Sequence, residues 1–126
     1  MTMQSLSPVL IVDAIEPCLT FWERLGFACV EKVPEGDRLG FVILVKDAVT
    51  VMYQTRASVK NDVPALASDA YRSALYLKVD DIQAVLPLLG DAPVVQPLRT
   101  TFYGATEVMV REPGGSVVAF AQFADE

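Results

Sequence analysis

LIVDAI (Leu10–Ile15) returns as LKVDDI (Leu77–Ile82), and the paired valines stand 67 residues apart (79 minus 12). The same offset carries VTVMYQ (Val49–Gln54) onto SVVAFA (Ser116–Ala121), so one register runs through both halves. A repeat of this kind points to a strand–helix–strands unit used twice within the 126 residues. By length this is a single domain of two modules, with roughly two-thirds of the unfolded surface buried. Module one spans about 6–55, a crossover covers 56–72, and module two spans about 73–123.

Local signals fill in each module. Pro8–Val12 reads as a strand, with proline tolerated as its opening residue. A helix follows from about Pro17 to Leu25, opened by the proline and stopped by Gly26. Cys18, Phe21, Trp22 and Leu25 recur at helical spacing and form its apolar face. Trp22 is read mainly as core, with reach to a pocket edge as the alternative. Strands are expected over Phe27–Val33, Leu39–Lys46 and Val49–Thr55. In module two a strand covers Ala74–Val79, and Asp81 caps a helix over Ile82–Leu89 that Pro87 should shorten or kink. Strands over Val94–Pro97, Thr106–Glu112 and Ser116–Phe123 complete it, with EPGGS (Glu112–Ser116) as a hairpin turn. The crossover Arg56–Arg72 reads as a loop that could hold one helical turn; it is the one segment long enough for a lid, with a plain linker as the favoured reading.

Composition narrows the function. Net charge is −6 with only ten Lys+Arg, which makes no basic footprint for nucleic acid. The acidic balance suits solubility and would attract a cationic ligand. The longest early apolar run, Pro8–Val12, falls far short of the ~20 residues of a spanning helix, and no basic leader region precedes it. A cytoplasmic protein is expected. Hydrophobic residues make up 52% and mean hydropathy is +0.37, values that point to a buried subunit interface or an apolar cavity. Cys18 and Cys29 have neither metal spacing nor a CxxC pairing and are read as packing residues.

The chain contains no histidine. That excludes Ser–His–Asp and Cys–His catalysis, and no glycine-rich loop opens a helix to cradle phosphate. Acid–base chemistry would fall to Glu107, Tyr76, Tyr103, Lys78 or Arg99. For Lys78 and Arg99 the plainer reading is solvated rim charge, and for the tyrosines half-buried packing.

The repeat, FWERLGF (Phe21–Phe27), TFYGATE (Thr101–Glu107) and the EPGGS turn together resemble the vicinal oxygen chelate superfamily of glyoxalases, extradiol dioxygenases and bleomycin-resistance proteins. The resemblance spans roughly Leu6–Phe123. It implies an α+β fold in which two βαβββ modules form a curved mixed sheet around a cup, commonly in a homodimer. It also implies four metal-ligand positions, two His and two Glu. In this chain they fall on Ser7, Ala74, Met52 and Ala119, with Gln54 replacing Met52 under a different turn register. An alcohol, a thioether and two methyl groups are not a ligand set for a divalent ion. Neither a metal nor any other cofactor is therefore expected.

Strand alternation places the cup face on Val9, Phe41, Met52, Gln54, Tyr76, Glu107 and Met109, joined by Phe102 and Tyr103 of the preceding loop. These nine are the candidate ligand-binding residues. Glu107 is the acid expected inside the cup, where water, Arg99 or a ligand must compensate it, and the repeat offset sets it against Gly40; the competing reading turns it to solvent through a strand register shifted by one. An apolar, aromatic lining with few polar groups suits a small molecule. The expectation is a metal-free binder of an aromatic or cationic ligand, similar to bleomycin-resistance proteins. The alternatives are an enzyme with an unusual or metal-independent site and a self-association module. The residues favour a binder over an enzyme and assign no catalytic residue.

Overall fold

The computed structural model describes residues 1–67 and 73–124. Contacts divide the chain into two compact units, Met1–Tyr71 and Arg72–Glu126.

In the first unit, β1 (Val9–Val12) leads into α1 (Glu16–Arg24), followed by β2 (Ala28–Glu35), β3 (Arg38–Lys46) and β4 (Val49–Thr55). The sheet order is β1-β4-β3-β2. β1 runs parallel to β4, and the other pairs are antiparallel. The face carrying Leu10, Val12, Val42, Leu44, Val51 and Tyr53 is buried. Cys18, Phe21 and Trp22 form the buried side of α1. Trp22 belongs wholly to the core: its ring is fully buried, and its Nε1–H donates to the Tyr53 hydroxyl at 2.8 Å. Phe21 and Phe27 meet the indole edge-on. Burying a side chain of that size contributes on the order of 4–6 kcal/mol of apolar transfer. Gly26, at φ 95°, ends the helix as expected.

The second unit repeats the plan with β5 (Ala74–Lys78), α4 (Ile82–Val85), β6 (Val94–Thr100), β7 (Ala105–Arg111) and β8 (Val117–Phe123), in the order β5-β8-β7-β6. Asp81 caps α4 by accepting from the Gln83 N–H. Pro87 acts as expected: the α-helix ends at Val85 and continues only as a 3-10 turn, Leu86–Leu88. The EPGGS turn is braced by Glu112, whose buried carboxylate accepts from the N–H groups of Gly114 and Ser116.

Three expectations need correction. The crossover is not a loop with one turn, because α2 (Arg56–Asp62) and α3 (Pro64–Ala67) occupy its first part. α2 holds through a local cap and burial: Thr55 Oγ1 accepts from Ser58 N–H, and Val59 is buried. Residues 68–72 of that segment lie outside the described residues. Next, the strand placed at Val94–Pro97 continues to Thr100; it is the outer strand of its sheet, where proline's missing N–H is tolerated.

The last correction concerns register. Gln54 and Ala121, 67 apart, occupy matching places on β4 and β8. Their partners across the sheet are Phe41 and Glu107, which are 66 apart (107 minus 41). Four residues separate Val45 from Thr50, but five separate Arg111 from Val117, so the second hairpin carries one more. Glu107 therefore corresponds to Phe41, not Gly40. Gly40 has its own constraint, since a Cβ there would lie 2.7 Å from the Glu35 Cβ.

Candidate functional site

Glu107 sits midway along β7, and its side chain is wholly buried. It is neither an open carboxylate nor a solvent-facing one. The Tyr76 hydroxyl, from β5, donates to Oε2 at 2.8 Å. The Tyr103 hydroxyl, from the loop before β7, lies 3.0 Å from both oxygens. Arg99, from β6, donates Nε–H and Nη2–H to Oε1 at 3.2 and 2.9 Å. Three side chains from three segments thus cover one carboxylate in a single layer. The outer parts of that layer remain open to water: Tyr76 is 48% exposed and Tyr103 46%, and the Arg99 side chain is 45% exposed.

Strand register explains the meeting. Tyr76 pairs with Ala119, which pairs with Met109, while Lys78 pairs with Ala121, which pairs with Glu107. These rows share one sheet face, and two small alanines on β8 leave room above the central strand for Tyr76 to reach across. On the other side β6 changes register: Gln96 pairs with Met109, yet Arg99 pairs with Glu107. Three steps on β6 match two on β7, a one-residue bulge. In regular register Leu98 would face Glu107; the bulge puts Arg99 there instead.

The electrostatics follow from this packing. Burial pushes the Glu107 carboxyl up, but hydrogen bonds from Tyr76, Arg99 and Tyr103, with the Arg99 charge, more than offset it and hold it below the ordinary carboxylate value. Tyr76 moves the opposite way: burial, its donation to Glu107 and the nearby negative charge raise it well above the usual phenol value. Glu107 is thereby a weakened base and Tyr76 a committed hydrogen-bond donor. Each phenol spends its one O–H on the carboxylate, leaving its oxygen lone pairs as outward acceptors.

The other candidate residues divide between the units. In the second, Met109 shares the Glu107 face, and the fully exposed Phe102 meets Tyr103 edge-on at 5.0 Å. Phe102 does not join the carboxylate cluster. Lys78 is not a bare rim charge, since its Nζ lies over the Phe123 ring at 4.7 Å. In the first unit Val9, Met52, Phe41 and Gln54 share one sheet face through the pairs Val9–Met52 and Phe41–Gln54. Gln54 donates to the Ser58 Oγ of α2 at 3.1 Å, a contact that depends on the helix missed in the sequence. Arg99 was legible in the sequence as one of the groups that could compensate Glu107, and the structure places it on that carboxylate. Its role comes from the bulge, and the proline in VVQPLRT (Val94–Thr100) is the sole local sign of it.

Residues 5–120 match the family described as the glyoxalase/bleomycin resistance protein/dioxygenase superfamily. The chain belongs to that superfamily. No curated protein sequence matches it. Among solved structures, a glyoxalase/bleomycin resistance protein/dioxygenase family enzyme from Burkholderia phytofirmans PsJN is similar, with TM-score 0.77, 14% identity, and coverage of 94% of this chain and 97% of that one. A lactoylglutathione lyase from Agrobacterium tumefaciens gives 0.73 at 15% identity, over 96% and 94% of the two chains. A bleomycin resistance determinant encoded on the transposon Tn5 gives 0.69 at 17% identity, over 96% and 98%. These likenesses establish the fold. Its two four-stranded mixed sheets with short helices are the α+β arrangement expected.

The metal positions implied by the superfamily do not fit an ion in this chain. Met52 and Ala119 hold matching registers, opposite Val9 and Tyr76 respectively, and neither offers a donor for a divalent cation. Ser7 and Ala74 offer a hydroxyl and a methyl group. Among the described residues, no group of three or more His, Cys, Asp or Glu is placed to hold a metal. Nor is any described helix long and apolar enough to cross a membrane.

Proposed function

We propose that this protein is a metal-independent small-molecule-binding member of its superfamily, comparable to bleomycin-resistance proteins, that sequesters an aromatic or cationic ligand. The observation that carries the reading is the Tyr76–Tyr103 pair. Both hydroxyls are fixed by a buried carboxylate while both rings stay about half exposed. Rings held in place lose little freedom when a flat ligand stacks on them, which favours binding. Phe102 beside Tyr103 and the net charge of −6 support an aromatic ligand, cationic or neutral.

The enzymatic alternative would need Glu107 as acid or base. Its hydrogen bonds and Arg99 oppose both roles, because a carboxylate held below its ordinary value is neither protonated near neutrality nor a strong base. The test is calorimetric titration with bleomycin and with neutral and cationic flat aromatics. Binding that weakens in Tyr103→Ala supports the reading. Turnover of a superfamily substrate without binding of such compounds would overturn it.

A further inference from the structure

We propose that Arg99 fills, from within the chain, a receptor for a planar cation built around Glu107, and that a ligand's amidinium- or guanidinium-like group binds there by displacing Arg99. This inference rests on the ligand-binding reading above and specifies the chemistry of the ligand. A wholly buried carboxylate loses its hydration and must be compensated by hydrogen bonds or by charge. Tyr76 and Tyr103 supply neutral hydrogen bonds. Arg99 adds the positive charge, through two N–H groups on Oε1.

Arg99 is also the member of the cluster placed to leave. It comes from the outer strand of its sheet, at a bulge where the ladder is already interrupted, and its side chain is 45% exposed. Glu107, by contrast, lies on an inner strand with no exposure. Withdrawal of Arg99 would open the carboxylate towards solvent between two tyrosine rings, and aromatic walls attract a planar cation. The same unit already seats one cation on an aromatic face, with Lys78 over Phe123 at 4.7 Å. The Phe123 ring in turn lies 6.2 Å from that of Tyr103.

The experiment uses benzamidine as a planar aromatic cation and benzamide as its neutral counterpart, titrated calorimetrically into the parent, Arg99→Ala and the double variant Arg99→Ala/Glu107→Gln. Arg99→Ala should bind benzamidine about tenfold or more tightly than the parent, the scale of a gained charge-assisted contact. Benzamide should show no such gain, and Glu107→Gln should abolish it. If Arg99→Ala does not fold, Arg99→Gln, which keeps a neutral donor, carries the same comparison. Benzamidine binding no tighter than in the parent, or an equal gain for benzamide, would overturn the proposal. That result is distinguishable from failure of the ligand-binding reading, which is tested separately by neutral aromatics and Tyr103→Ala.

Discussion

Arg99 stands opposite Glu107 because β6 carries one more residue than β7 between that pair and the Gln96–Met109 pair. The bulge exchanges an apolar neighbour, Leu98, for the guanidinium that neutralises the buried carboxylate of the second unit.

The two residues should be energetically coupled. Arg99→Ala leaves a buried carboxylate without its cation and should destabilise by about 2–3 kcal/mol, below the usual range for a buried pair because Arg99 is half exposed. Glu107→Gln should destabilise by about 1–3 kcal/mol. The double variant should lose less than the sum of the two, which urea denaturation of all four proteins would show.

Stability should depend on pH through Glu107. Its folded value lies below the unfolded reference of 4.5, so the unfolded chain binds more protons in that window. The contribution is therefore fully present above the unfolded value and is lost as pH falls through the folded one. Denaturation between about pH 3 and pH 7 should show the parent's advantage over Glu107→Gln shrinking in acid. An advantage unchanged across the range would contradict the assignment.

Chelation should leave the melting temperature unchanged, because Ser7, Met52, Ala74 and Ala119 replace the implied ligands. Elemental analysis of the purified protein tests this. About one zinc, iron or manganese per chain would contradict it.

The protein should form a homodimer. Outer strands of both sheets carry exposed apolar residues, Val30 and Val33 on β2 and Val94, Val95 and Leu98 on β6. Such edges are ordinarily covered by a partner or protected. Light scattering at micromolar concentration should give twice the chain mass, and a result near 13.7 kDa would contradict the expectation.

The architecture was readable because the LIVDAI and LKVDDI repeats place apolar side chains at a fixed offset, and alternation then assigns faces; Leu10 and Val12 are buried, while their partners Leu77 and Val79 are only half-buried. Asp81, Pro87 and Gly26 act locally, so their effects on the helices were also legible. The α2 helix was not: RASVKND (Arg56–Asp62) has weak intrinsic helical preference, and its stability comes from the Thr55 cap and buried Val59. Glu107 stands out in the sequence as the acid of the site, but what surrounds it depends on one-residue shifts. One lies in the Glu112–Ser116 turn, and β6 carries others, at Val94–Gln96 and Gln96–Arg99. Register shifts of this kind are set by pairing between distant strands and leave little trace in either strand alone.

The central claim is that the Tyr76–Tyr103 face binds an aromatic ligand. The most direct measurement is NMR of ring-labelled tyrosine, of which the chain has four, during titration with bleomycin and simpler flat aromatic compounds. The Tyr76 and Tyr103 ring signals should shift saturably while that of Tyr53, fully buried against Trp22, stays in place. If no compound moves the Tyr76 and Tyr103 signals, or binding shifts other tyrosines alone, the account is contradicted.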